Sequence, residues 1–200
     1  MAARRIPQRA QRPPQSDVDA VSTRLAQGFA AALLALFAGT TQAQQASEAA
    51  VKAAFLYKFP GYIEWPAEAL GAPDNPFVIA VAGSEDVAAE LERLVPGRNI
   101  AGRRVAIRRI REGDPLRGMQ ILFVGRSEEN GRALLRTAQQ QPGILLVTEG
   151  ERGLELGGTI NFVALEERIA FEVSLENAER AGLRISSRML AVARRVVPRG

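Results

Sequence analysis

The 200-residue chain contains no histidine and no cysteine. Histidine is the side chain that titrates near neutral pH without perturbation, so the usual general base is missing. A Ser–His–Asp triad cannot be assembled, and neither can a thiolate nucleophile, a disulfide or an imidazole or thiolate zinc site. Lysine is scarce as well, with only Lys52 and Lys58. A hydrolase would have to rest on a Ser–Lys pair or a carboxylate dyad. No carboxylate pair stands out for acid–base work, and Glu166-Glu167 reads as a solvated turn. These absences favour a binding protein over an enzyme, with no cofactor or metal expected.

Single-sign charge is lacking too. The chain has 26 Lys and Arg against 22 Asp and Glu. Residues 1–43 hold five of the basic and two of the acidic side chains, which leaves 21 against 20 for the remainder. A near-neutral domain offers no long-range attraction for a phosphate backbone, so nucleic acid is not an expected partner. No apolar run reaches the ~20 residues of a membrane span. The longest, Leu25 to Ala38, has 14 residues and is followed by the small residues of Thr41-Gln42-Ala43. With its basic flank, this pattern is a secretory signal cleaved near Ala43, and it predicts export to the periplasm. Residues 1–43 are therefore expected to be leader and signal peptide, and residues 44–200 one domain.

Aromatic residues are few, and five of the eleven fall between Phe55 and Trp65. Val51, Phe55, Phe59 and Ile63 recur every four residues, predicting a helix over 46–64 with that stripe buried. Pro60-Gly61 removes a backbone donor and predicts a break after Phe59. Tyr57, Tyr62 and Trp65 fall partly off the stripe. Tyr and Trp are enriched at interface hot spots, so these three are the candidate partner contacts.

Beyond Pro76, apolar runs alternate with helical patterns. Strands are expected at 77–82, 104–110, 119–125 and 144–148, with helices at 85–95 and 127–140 between them. Thr159 to Ala164 and Arg168 to Ser174 read as an antiparallel hairpin. A short helix over 176–181 and a last helix over 188–197 follow. The fold class is α/β: a layered sandwich with a largely parallel central sheet, an antiparallel C-terminal hairpin at one edge, and helices on both faces.

Four features invite an anion or cofactor reading. The strand–Gly–helix junctions Gly83-Ser84 and Gly125-Arg126-Ser127 face acidic first turns, so simple N-capping is expected of Ser84 and Ser127. Gly153, Gly157 and Gly158 read as turn glycines. Arg103, Arg104, Arg108, Arg109 and Arg111 suit a solvated edge strand. Arg184, Ser186, Ser187 and Arg188 gather donors at a helix start and are the candidate anion or ligand contacts, against an ordinary serine cap.

In order and spacing, three blocks carry a resemblance: VKAAFLYKF…EWP from Val51, ILFVG at Ile121–Gly125, and GGTINF…RIAFEVSLENAERAGLRISSRMLAVA from Gly157 to Ala193. Over about Val51 to Val197 the chain resembles the YfiR-like family of small periplasmic regulatory proteins. The resemblance implies an exported α/β protein without established catalytic activity. It further implies repression of an inner-membrane diguanylate cyclase through its periplasmic domain, with relief by an outer-membrane lipoprotein, and effects on cyclic-di-GMP and biofilm formation. A sensor kinase is the other partner class, and a homodimer is compatible with it. The alternative is a periplasmic small-molecule or anion binding protein feeding such a kinase. Relatives carry cysteines where this chain has none, so redox control does not transfer.

Overall fold

The computed structural model describes residues 47–126, 131–166 and 168–199. The leader and signal peptide, and the Ser127 cap, lie outside the described residues. Among the described residues, no helix is long and apolar enough to cross a membrane.

The domain begins with α1 (Glu48–Lys58), capped by the Ser47 hydroxyl, which accepts from the Ala50 amide at 3.1 Å. The helix ends where Pro60 forbids its continuation: Phe59–Tyr62 form a 3-10 turn, which leads into β1 (Ile63–Glu64). The break after Phe59 is as expected. The buried face is not quite the predicted one. Ala49, Lys52, Ala53 and Leu56 are buried, while Val51 and Phe55 are half-buried. Small residues let α1 approach its neighbours closely, so the packed face is centred on the alanines. The short helix α2 (Ala67–Leu70) follows.

An eight-stranded sheet forms the centre. It contains β2 (Phe77–Ala82), β3 (Asn99–Ile100), β4 (Arg103–Arg109), β5 (Ile121–Val124), β6 (Leu145–Glu149), β7 (Ile160–Leu165), β8 (Arg168–Ser174) and β10 (Arg195–Val197). Their spatial order is β10-β8-β7-β6-β5-β2-β4-β3. From β4 through β2, β5 and β6 to β7 every pairing is parallel. Strands β7 and β8 form the antiparallel hairpin. The expected architecture is therefore present, with two short additions at its ends. A two-residue strand, β3, pairs antiparallel with the start of β4, and β10 lies parallel to β8 outside the hairpin.

The last strand corrects the expected helix over 188–197. Only Ser187–Leu190 is helical, as α6, and Arg195–Val197 joins the sheet. Val196 and Val197 are β-branched, and pairing with Val173 and Ser174 of β8 overrides a weak helical pattern.

Side chains in register form rows across the sheet. Val81, Phe123, Val147, Ile160 and Val173 stand side by side in one such row. This face packs against α1, α3 (Glu85–Leu94), α5 (Leu175–Arg180) and α6. Phe55, Phe59, Phe123, Phe162 and Phe171 meet there with ring centroids 5.3 to 5.9 Å apart. Such pairs add about 0.5–1.5 kcal/mol each beyond their buried area. The opposite face is covered by α4 (Gly131–Gln139), whose Leu134, Leu135 and Ala138 pack on Val78, Ala80, Leu122 and Leu146. Helices thus lie on both faces. Towards β7 and β8 that second face turns polar, with Thr148, Thr159, Asn161, Glu172 and Ser174 all buried. The segment 150–158 lies over it, and Gly153 rests so closely on Asn161 and Thr148 that a Cβ would collide with both. Close approach, besides turning, explains that glycine.

Candidate functional site

Two regions bring chemistry-bearing residues together. The first is a small antiparallel sheet that the sequence did not announce. Strand β1 pairs with β9 (Arg184–Ile185), matching Ile63 with Ile185 and Glu64 with Arg184. The Ser186 amide donates to the Tyr62 carbonyl at 2.9 Å. Tyr62 of the first candidate set and Arg184 and Ser186 of the second, more than 120 residues apart in the chain, therefore share one surface.

Their members differ in burial. Tyr62 is 43% exposed and, with Val192, is one of the exposed large hydrophobic residues among those described. Trp65 is half-buried: its indole N–H donates to the Gly143 carbonyl at 3.0 Å, and its ring meets Phe77 edge-on at 5.4 Å. Tyr57 is half-buried beneath the Arg98 guanidinium, 5.4 Å from the ring centre. Arg184 is exposed and 3.8 Å from Glu64. Ser186 caps α6, its hydroxyl accepting from the Met189 amide at 3.4 Å, while Ser187 and Arg188 are exposed. With four residues, α6 has little dipole to offer an anion.

The second region lies at the carboxyl ends of the parallel strands. The chain passes from β2 over one face, through α3, to β4. It then passes from β5 over the other face, through α4, to β6. Between β2 and β5 the winding therefore changes direction, and in open α/β sheets such a reversal leaves a crevice. Gly83 and Gly125 meet at its floor: a Cβ on Gly125 would stand 2.5 Å from the Gly83 carbonyl oxygen. Gly83 has φ of +66°, which favours glycine.

Charged side chains from four elements converge on this crevice. The Lys52 ammonium, on α1, bonds Glu149 at the end of β6 and pairs with Glu48 at 2.6 Å. The side chains of Lys52 and Glu149 are only 8% and 7% exposed. Glu149 also accepts from the Arg126 amide at 3.0 Å. Burial pushes the Lys52 pKa down, but its hydrogen bonds to Glu149 and Glu48 outweigh this, and the pKa rises above the ordinary 10.5. Ser84 occupies the N-cap position of α3, but its hydroxyl caps no amide. It donates instead to Asp86 at 2.7 Å, and Asp86 accepts from the Val87 amide at 2.9 Å. The Ser84 bond leads the causes that hold the Asp86 carboxyl below its ordinary value; the Lys52 charge is a smaller one. Arg109 binds both oxygens of Glu85 and also pairs with Glu92. Its hydrogen bonds lower the pKa of both carboxylates and raise its own.

The arginine run is largely committed to the fold. Arg103 donates to the carbonyls of Gly71, Ala72 and Asn75, and Arg108 to those of Pro115 and Arg117. Only the start of β4 is covered by β3, so residues 105–109 keep an open edge guarded by these side chains.

A model of the family described as DUF4154, YfiR/HmsC-like, matches residues 49–194, close to the whole described domain. The chain belongs to the YfiR/HmsC-like family. No curated protein matches it in sequence. Family membership is consistent with a periplasmic regulator of cyclic-di-GMP signalling that acts by protein contact. In this YfiR/HmsC-like chain the match takes in both regions, from Lys52 and Tyr62 to Arg184 and Ser186. Lys52, Asp86 and Glu149 were not among the candidate contact residues read from the sequence. The available signal was a lysine, in a chain with only two, set between Ala49 and Ala53 on the small-residue face of α1.

Proposed function

We propose that this protein is a periplasmic regulator that restrains an inner-membrane diguanylate cyclase by binding its periplasmic domain through the β1–β9 surface. Family membership across residues 49–194 carries the reading. The location of the contact is supported by Tyr62, an exposed aromatic on a rigid two-stranded platform, flanked by Glu64 and Arg184. Aromatic and arginine side chains of this kind supply much of the binding energy at protein interfaces. An outer-membrane lipoprotein that competes for the same surface would relieve the restraint.

A photocrosslinking residue at position 62 should capture an inner-membrane protein with a diguanylate cyclase domain. Deleting the gene should raise cyclic-di-GMP and surface attachment. Capture of no membrane protein, together with unchanged cyclic-di-GMP, would sink the reading. The partner reading is favoured over the anion alternative because the Ser186 hydroxyl already serves α6 and Arg184 lies near Glu64.

A further inference from the structure

The outer edge of β4 takes no part in the proposed contact, yet its backbone is left unfinished. On the inner side β2 pairs along the strand, from Phe77 with Val105 to Val81 with Arg109. On the outer side β3 reaches only Arg103 and Arg104. The Ile110 amide donates to the Val81 carbonyl at 2.9 Å. Alternate residues of a parallel strand face the same neighbour, so the N–H and C=O groups of Ile107 and Arg109 point outward. Among the described residues, no turn or loop backbone bonds either of them. Such unpaired groups are a template for another strand.

The side chains decide which strand fits. Val105 and Ile107 are half-buried against the core on the α3 face, and apolar neighbours would cover what stays exposed. Arg104, Ala106 and Arg108 stand on the other face, by the alternation of a strand. Among the described residues, the ion pairs of β4 all belong to Arg109, which Glu85 and Glu92 bracket on the α3 face. In the loop that follows, Arg111 and Arg117 balance Glu112 and Asp114, and Asp74 lies in the loop that Arg103 binds. Arg108 is held by the Pro115 and Arg117 carbonyls, which leave its charge uncancelled, and Arg104 is exposed. These two cations flank Ala106. A residue added opposite Ala106 is diagonal to both, within reach of long side chains, so a carboxylate there meets two guanidinium groups.

The same charges exclude a second copy. An antiparallel copy would set Arg104 against Arg108, and like charges facing across a pair are destabilising. The opposite edge of the sheet begins with Arg195 and offers no complement either.

We propose that the β4 edge accepts an extended segment of another protein, with acidic and apolar residues in alternation, as an added strand. The arginines then guard the edge by sign: they turn away basic strands and copies of this chain and admit an acidic one. The edge belongs to the central sheet and not to the β1–β9 pairing, so it stands or falls independently of the Tyr62 surface.

Fluorescence anisotropy of labelled peptides with the purified full chain tests this, and amide exchange gives a second readout. The probes are Val-Glu-Val-Glu-Val, Val-Lys-Val-Lys-Val and the fully N-methylated form of the acidic peptide. The acidic peptide should bind roughly tenfold tighter than either of the others, because charge and backbone pairing are both needed. It should slow exchange of the Ile107 and Arg109 amides and leave the Arg108 amide, which faces β2, unchanged. Arg104→Glu, at an exposed position, should weaken it about tenfold. Tyr62→Ala should not change it. No binding by the wild type, equal affinity for the three peptides, or equal affinity in Arg104→Glu overturns the proposal. So does slowing of the same two amides by raised protein concentration alone, which would make the occupant a second copy.

Discussion

The amide of Ser186 donates to the carbonyl of Tyr62, and this one bond places an exposed tyrosine from the start of the domain beside the cap of its last helix. Tyr62 gains a backbone partner from the pairing while the residue stays 43% exposed. A rigid, exposed aromatic loses little freedom when a partner covers it.

Tyr62→Ala and Arg184→Glu should therefore separate binding from folding. Both side chains are exposed, and surface changes away from special features stay within about 0.5 kcal/mol of wild-type stability. Each should lose co-purification of the membrane partner and raise cyclic-di-GMP as gene deletion does. A wild-type phenotype from the double variant would move the contact elsewhere.

Trp65→Phe keeps the ring on Phe77 but deletes the N–H that satisfies Gly143. The loss should be about 1–2 kcal/mol, that of a partly buried hydrogen bond with its acceptor left unpaired. Chemical denaturation should show a lower midpoint with an unchanged slope.

Gly125→Ala and Gly61→Ala form a matched pair. At Gly125 the new methyl meets the Gly83 carbonyl and Ser84 Cβ at 2.5 and 2.9 Å, whereas at Gly61 it meets nothing within 4 Å. The first should cost about 1–3 kcal/mol, typical of overpacking a tight site. The second should change the melting temperature little. Equal behaviour of the two would mean that the loops at the crevice floor are not in tight contact.

Lys52→Met leaves Glu48 and Glu149 without their shared cation and should cost about 3–5 kcal/mol, as breaking a buried pair does. Lys52→Met with Glu149→Leu should recover part of it. The pH dependence has a definite sign. The folded Lys52 pKa lies above the ordinary 10.5, so its contribution is complete below that value and is lost as pH rises through the folded pKa.

Acid should act through a different residue. Hydrogen bonding to Arg195 holds the Glu172 pKa below its ordinary 4.5. Its contribution is complete above 4.5 and is lost as pH falls through the lower folded value. Glu172→Gln should flatten the acid limb of a stability–pH curve, and an unchanged limb would assign acid sensitivity to other carboxylates.

The strands were legible because both-face burial writes continuous apolar runs: Phe77 to Ala82 is buried at every position, and Ile121 to Val124 likewise. The α4 stripe of Leu134, Leu135 and Ala138 was legible from its period. What escaped depends on partners distant in sequence. Nothing local marks Arg195–Val197 as a strand until β8 is beside it, and two-residue strands such as β1 and β9 have no period to detect. The crevice charges were hidden for the same reason, since Lys52 and Glu149 are 97 residues apart. Ser84 was placed correctly at the start of α3, but a competing carboxylate two residues on took its hydroxyl.

Pro60 has a further effect through the turn it imposes. By sending the chain into β1, it makes the first folded segment depend on β9, and the hairpin likewise waits for β10. A chain that emerges amino-terminus first cannot pair β1 until residues 184–185 are free, and cannot complete the edge beyond β8 until residues 195–197 follow. Because such long-range pairings form late and slowly, the start of the domain is among the last parts of the fold to be fixed in place.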